Sequence, residues 1–217
     1  MRVAWIAVSL ICVMYAQSAA CKELSRCVSV TIGGHDTTFT NGAGGPSDGK
    51  ALGQVFYATD SVITKITLWR PRWNLSAIGS HLFVVGVDTM RTPFYPVTQG
   101  VLQDGPTILV YGDSTGRIAM PFVLDPPLIL PHRGYYAFFI QPENCFQGFA
   151  YAICRDTNNG YPFGSMWVTD RAFSICALPR AHYNEPGTDL TFEIEYCHDA
   201  STTVRKATWG RVKAIYR

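Results

Sequence analysis

Residues 189–196 read Asp-Leu-Thr-Phe-Glu-Ile-Glu-Tyr. In an extended chain Leu190, Phe192, Ile194 and Tyr196 point to one side, and Asp189, Thr191, Glu193 and Glu195 to the other. Such period-two alternation marks a half-buried strand of an antiparallel sheet, with the second set facing solvent. A second row has the same form: Ile118, Met120, Phe122 and Leu124 oppose Arg117, Ala119, Pro121 and Val123. Pro121 has no N–H to give a ladder, so this strand is expected at a sheet edge. Further strands are predicted at 27–32, 54–58, 62–70, 81–87, 107–111, 135–141, 148–154 and 171–176. Turn residues separate them at Asn41-Gly42, Gly44-Gly45-Pro46, Asp104-Gly105-Pro106, Gly112-Asp113, Asp125-Pro126-Pro127 and Asn159-Gly160. About ten short strands with no helical pattern between them predict an all-β, antiparallel β-sandwich of jelly-roll-like form.

Composition agrees. Of 217 residues, 47% are hydrophobic and only 16% charged, which excludes a disordered polyelectrolyte or a long coiled coil. Nineteen glycines and 13 prolines, spread along the chain, argue against a helix bundle. Residues 201–217 carry five bases and no acid, whereas residues 21–200 carry 12 bases and 16 acids. A mildly acidic body is a poor match for phosphates, so no nucleic-acid partner is expected.

The first 20 residues read as a secretory signal peptide. Arg2 precedes the apolar run Trp5–Ala16, and Gln17-Ser18-Ala19-Ala20 offers small residues for cleavage. No later segment is apolar for the roughly 18 residues that a transmembrane helix needs. The expected organisation is a signal peptide (1–20), a sandwich (21–197) and a spacer with a basic tail (198–217). The protein is expected to be secreted, or held at a cell surface. Cys12 leaves with the signal, and the remaining six cysteines, Cys21, Cys27, Cys145, Cys154, Cys176 and Cys197, predict three disulfides. Nearest-neighbour closure pairs Cys21–Cys27, Cys145–Cys154 and Cys176–Cys197, one of 15 connectivities for six cysteines. No C-x-x-C or C-x-x-H spacing supports a zinc site. No cofactor is expected, although a structural calcium has no assigned place.

A family resemblance extends this reading. Leu52-Gly53-Gln54-Val55-Phe56, followed by Val62-Ile63-Thr64-Lys65-Ile66-Thr67-Leu68-Trp69, resembles the opening strands of jelly-roll modules in secreted bacterial proteins. Leu128-Ile129-Leu130-Pro131-His132-Arg133-Gly134-Tyr135-Tyr136-Ala137-Phe138 resembles their hairpin, and Gly187-Thr188-Asp189-Leu190-Thr191-Phe192 their closing strand. The similarity spans roughly residues 50–197 and rests on structural motifs. Carbohydrate-binding and galactose-binding-like modules of this kind imply a non-catalytic ligand-binding or adhesive role. Cys145, Cys154, Cys176 and Cys197 depart from their pattern, and no ligand-binding residue carries over one to one.

Sugar recognition needs flat aromatic faces with polar groups beside them. Trp69 shares the polar face of its strand with Lys65 and Thr67, and Trp73 follows in a loop beside Arg72. Tyr161, Phe163 and Trp167 stand among turn residues and acids in 156–170. These six residues are the candidate ligand contacts, with a packing role as the competing reading. Glu193 and Glu195, about 6.8 Å apart along a strand, offer the carboxylate pair of a glycoside hydrolase, against a solvated strand face. No histidine has metal-ligand spacing and no G-x-S-x-G elbow occurs; His81 reads as a surface or satisfied side chain. Asp156-Thr157-Asn158-Asn159-Gly160 reads as an Asn-Gly turn rather than a calcium loop. Asn74-Leu75-Ser76 is a glycosylation sequon. In the tail, Arg205, Lys206, Trp209, Arg211, Lys213, Tyr216 and Arg217 make a basic-aromatic segment similar to short termini of some exported bacterial proteins. It reads as a frayed end, a sorting signal or a membrane-surface contact. The expected function is binding of a glycan or another cell-surface component. The alternatives are a structural or adhesive envelope or matrix protein, and a hydrolase using Glu193 and Glu195. The sequence leaves the oligomeric state open.

Overall fold

The computed structural model describes residues 27–32, 50–70, 77–111, 118–142, 155–156, 161–171 and 177–197. They form β1 (Cys27–Ile32), β2 (Leu52–Ala58), β3 (Val62–Arg70), β4 (Ala77–Asp88), β5 (Tyr95–Tyr111) and β6 (Ile118–Ile129). There follow β7 (Gly134–Pro142), β8 (Arg155–Asp156), β9 (Met166–Thr169), β10 (Ala181–Glu185), β11 (Asp189–Leu190) and β12 (Phe192–Cys197). Among the described residues there is no helix.

Two antiparallel sheets make a β-sandwich. One has the order β1-β12-β3-β6, the other β10-β9-β2-β7-β4-β5, and β11 pairs β8 separately. The alternation in β6 is borne out: Ile118, Met120, Phe122 and Leu124 are buried while Ala119, Pro121, Val123 and Asp125 are exposed. Pro121 lies on an edge strand, as its missing donor requires. Between the sheets, the inward rows of β3 and β12 (Ile66 and Leu68; Phe192, Ile194 and Tyr196) meet Phe56, Leu82, Val84, Phe138 and Ile140. The Phe138 and Phe192 rings touch edge to face across the core, centroids 5.1 Å apart.

The larger sheet also carries an apolar layer on its outer face. Val55, Phe83, Val85, Ala137, Phe139 and Trp167 form a second buried cluster, against which Phe94, Tyr95, Tyr135 and Leu178 pack. Strands β2, β4 and β7 are therefore buried on both faces, and they read as apolar runs rather than alternating rows.

Several expectations are corrected. Asp104-Gly105-Pro106 and Asp125-Pro126-Pro127 do not end strands. The first lies inside the 17-residue β5, where the register slips between His81 and Phe83 and Gly105 adopts φ +94°. The second lies inside β6, where Lys65 faces Val123 but Ile63 faces Leu128. Turn chemistry at these sites makes bulges, which glycine's freedom at positive φ and proline's missing donor both suit. Residues 95–106, together with β9 and β10, are strand that the periodicity did not reveal. Arg171 is not in a strand, and 148–154 and 172–176 lie outside the described residues. The 189–196 row breaks at Thr191, and Asp189 and Thr191 are both buried rather than solvated.

Cysteine pairing is corrected too. Cys27 opens β1 and Cys197 closes β12, which are neighbouring strands, and the two are disulfide-bonded. This overturns the Cys21–Cys27 and Cys176–Cys197 pairs, because strand pairing, not sequence proximity, decides which thiols meet. Cys21, Cys145, Cys154 and Cys176 lie outside the described residues, as do the signal peptide and the tail. Val28–Cys197 forms one compact unit.

Candidate aromatic groove

The segment that leads into β9 is held at several points. Tyr161 N donates to Asp189 Oδ2 at 3.1 Å, and the Tyr57 amide donates to the Tyr161 hydroxyl at 2.7 Å. Val55 N donates to Ser165 O at 3.0 Å, and Met166 N to Thr188 O at 3.0 Å. Asn184 Nδ2 donates to Ser165 Oγ. Gly164 lies directly on the Val55 carbonyl, where a Cβ would collide with it. Asp189 in turn is clamped by Gln54, whose Nε2 donates to Asp189 Oδ1 at 2.9 Å and whose Oε1 accepts from Leu190 N at 2.8 Å. Both side chains are fully buried, so the chain preceding β9 is anchored to the sandwich core.

This anchoring makes one wall of an open groove of about 240 Å³. Pro162, Phe163, Gly164 and Ser165 form that wall; Thr92, Pro93 and Phe94, from the β4–β5 connection, form the other; Tyr135 lies between them. The rings are continuous: Phe94 meets Tyr135 at 4.5 Å, Tyr135 meets Tyr57 at 5.1 Å, and Tyr57 meets Phe163 at 6.3 Å. Phe163 is 53% exposed and Tyr57 38%, large values for aromatic side chains with so many ring neighbours. Thr92 and Ser165 bring hydroxyls to the rims. Chemically the groove offers a strip of rings with few polar groups beside it, which suits a flat, partly apolar ligand edge.

No known family model and no curated protein matches this chain.

The structure divides the six candidate contacts. Phe163 lies on the groove. Tyr161 is buried behind it, its ring 5.8 Å from Phe163 and 5.7 Å from Phe192, and burial pushes its phenol up to about 12. Trp167 is not in a loop: it sits in β9, 4% exposed, in the outer-face cluster with its ring edge-on to Tyr95 at 5.4 Å. Arg91 lies 4.6 Å over the other partner of that pair, Tyr95, whose hydroxyl donates to Ala181 O at 2.7 Å. Trp69 is half-buried on the outer face of the smaller sheet, opposite Ala119, whereas Tyr57 and Tyr135 of the groove belong to the larger sheet. Arg72, Trp73 and Asn74 lie outside the described residues. Sequence reasoning missed Phe94, Tyr135 and Tyr57. The adjacent Tyr135-Tyr136 pair held the usable signal, since in a strand one of two neighbouring rings must face outward.

Glu193 and Glu195 are half-buried on the outer face of the smaller sheet, opposite Thr67 and Lys65. Lys65 Nζ bonds Glu195 Oε2 at 2.8 Å and Thr64 donates to Oε1 at 2.7 Å. Those bonds, Lys65 first, hold the Glu195 carboxyl below the usual carboxylate range. A general acid needs the opposite direction. His81 is satisfied, with Nε2 2.6 Å from Asp104 Oδ1 and Nδ1 2.5 Å from Thr107 Oγ1. Cys27, Glu195 and Cys197 bring ligand atoms within 4.8 Å of one another, but the disulfide removes both thiolates a metal would use.

Proposed function

We propose that this chain is an exported binding module whose sandwich captures a glycan in the Phe94–Tyr135–Phe163 groove. The observation that carries the proposal is the exposed Phe163 ring on a wall pinned by five hydrogen bonds. A binding ring that is already fixed loses little conformational freedom when a ligand stacks on it. The signal-like start, the even set of cysteines and the resemblance of residues 50–197 to carbohydrate-binding jelly-roll modules support the same reading. Among the described residues no helix is long and apolar enough to cross a membrane. A glycan array probed with the oxidised protein and with Phe163→Ala tests it. Binding by the parent and its loss in the variant, with unchanged melting, is the expected result. Equal binding by both would move the site elsewhere.

One observation favours an adhesive role as a second reading. The long β5 forms an edge of the larger sheet and exposes Val97, Val101, Leu102 and Leu109. Exposed apolar edge strands pair readily with other strands. Concentration-dependent sedimentation that disappears in Leu102→Lys would support this reading over the first.

A further inference from the structure

Arg70 ends β3 and is 1% exposed, among the largest fully buried side chains. Its Nε, Nη1 and Nη2 are all buried, and none has a hydrogen-bond partner among the described residues. A guanidinium stays protonated at neutral pH, so this is a charged fork with empty donors inside the protein. An unpaired buried charge is among the costliest features a fold can hold. Ser80 adds a second such group: it is fully buried and its Oγ also lacks a partner among the described residues.

The two residues belong to the same end of the sandwich. Arg70 continues the inward row Ile66–Leu68 of β3, and Ser80 precedes the inward row Leu82–Val84 of β4. Phe192, paired with Leu68, meets Phe138, paired with Val84, which aligns the two rows. Toward the opposite end, Tyr196 stands near Asp60, just past the end of β2. Arg70 and Ser80 both lie away from that end. Ile118, Arg70's partner in β6, is a buried apolar side chain and supplies no acceptor.

We infer that Arg70 and Ser80 form a binding site for a small oxyanion, a carboxylate or a tetrahedral phosphate or sulfate group. A planar fork of N–H donors binds two oxygens of such a group side by side, and a serine hydroxyl can donate to one of them. Burial lowers the guanidinium's pKa, as expected for a cation whose counter-charge has still to arrive. This site stands on different residues from the aromatic groove and holds or fails independently of it.

The test is melting of the oxidised protein in sodium phosphate, sulfate or acetate against sodium chloride at equal ionic strength. At about a hundredfold excess over Kd, an oxyanion should raise the parent's Tm by about 5–10 °C. The ranking of the salts separates a tetrahedral from a carboxylate ligand. Arg70→Met should lose the shift while melting, in chloride, no lower than the parent. Ser80→Ala should keep its fold and show a smaller shift. Two results overturn the inference: no oxyanion stabilises the parent beyond chloride, or Ser80→Ala and Arg70→Lys retain the full shift.

Discussion

Replacing Gln54 with methionine keeps the length and bulk of the side chain but removes every polar atom beyond Cβ. In the native fold Gln54 Oε1 accepts from Leu190 N at 2.8 Å, and Nε2 donates to Asp189 Oδ1 at 2.9 Å and to Val55 O at 3.2 Å. Gln54 and Asp189 are both fully buried, so no water can replace the lost partners without opening the core. Leaving a buried donor or acceptor unmade costs about 1–3 kcal/mol. With the Leu190 amide orphaned and the Asp189 carboxyl short of one donor, Gln54→Met should cost about 2–6 kcal/mol. For a chain of this size that lowers Tm by about 5–20 °C, since each kcal/mol shifts it by about 2–4 °C. Urea unfolding followed by tryptophan fluorescence gives the cost directly, and an unchanged m value would show that the denatured state is unaffected. The double variant Gln54→Met/Asp189→Leu should cost less than the sum of the two single variants, because their shared bond is lost only once, although Tyr161 N, which donates to Asp189 Oδ2, is then orphaned as well. A cost below about 0.5 kcal/mol for Gln54→Met would refute the clamp.

Three further outcomes follow from the geometry. Gly164→Ala places a Cβ against the Val55 carbonyl and should destabilise by about 1–3 kcal/mol while lowering glycan affinity, read by urea unfolding and by retention on the array hit. Replacing Cys27 and Cys197 with alanine should cost about 3–5 kcal/mol by urea unfolding, since the bridge closes almost the whole described chain into one loop. The folded-state pKa of Glu195 is lowered, so its ion pair stabilises above the ordinary carboxylate pKa and is lost as pH falls through the folded value; Glu195→Gln should therefore flatten the acid limb of a Tm–pH profile below about pH 4.5, by under about 1 kcal/mol because the pair is partly exposed.

The strands that one face of water shaped were legible. In β6 every apolar residue of the row is inside and every intervening residue outside, because solvent lies on one side only. The row 190–196 was equally plain, yet Asp189 broke it: its burial depends on Gln54, more than a hundred residues away, and no local pattern carries that information. The two quoted motifs that suggested a jelly roll, Gly53-Gln54-Val55-Phe56 and Asp189-Leu190, turn out to be bonded to each other. Where a second apolar layer covers the larger sheet, alternation vanishes, and Trp167 looked like a loop ring when it is a strand ring under Tyr95. The groove was only one-third visible. Phe163 stood out among turn residues, whereas Tyr135 joins it through the pairing of β7 with β2, and Phe94 through the β4–β5 connection. The disulfide was hidden for the same reason, since β1 and β12 lie at opposite ends of the sequence.

The proposed function seats a glycan on the exposed Phe163 ring of the aromatic groove. Titration calorimetry with the array's best oligosaccharide, comparing the parent with Phe163→Ala and Trp69→Ala, tests it most directly. Phe163 lines the groove, while Trp69 lies on the outer face of the other sheet and serves as the ring control. Phe163→Ala should weaken binding at least tenfold, or about 1.4 kcal/mol, while Trp69→Ala should leave it unchanged. Loss of binding in Trp69→Ala with full binding in Phe163→Ala would contradict it.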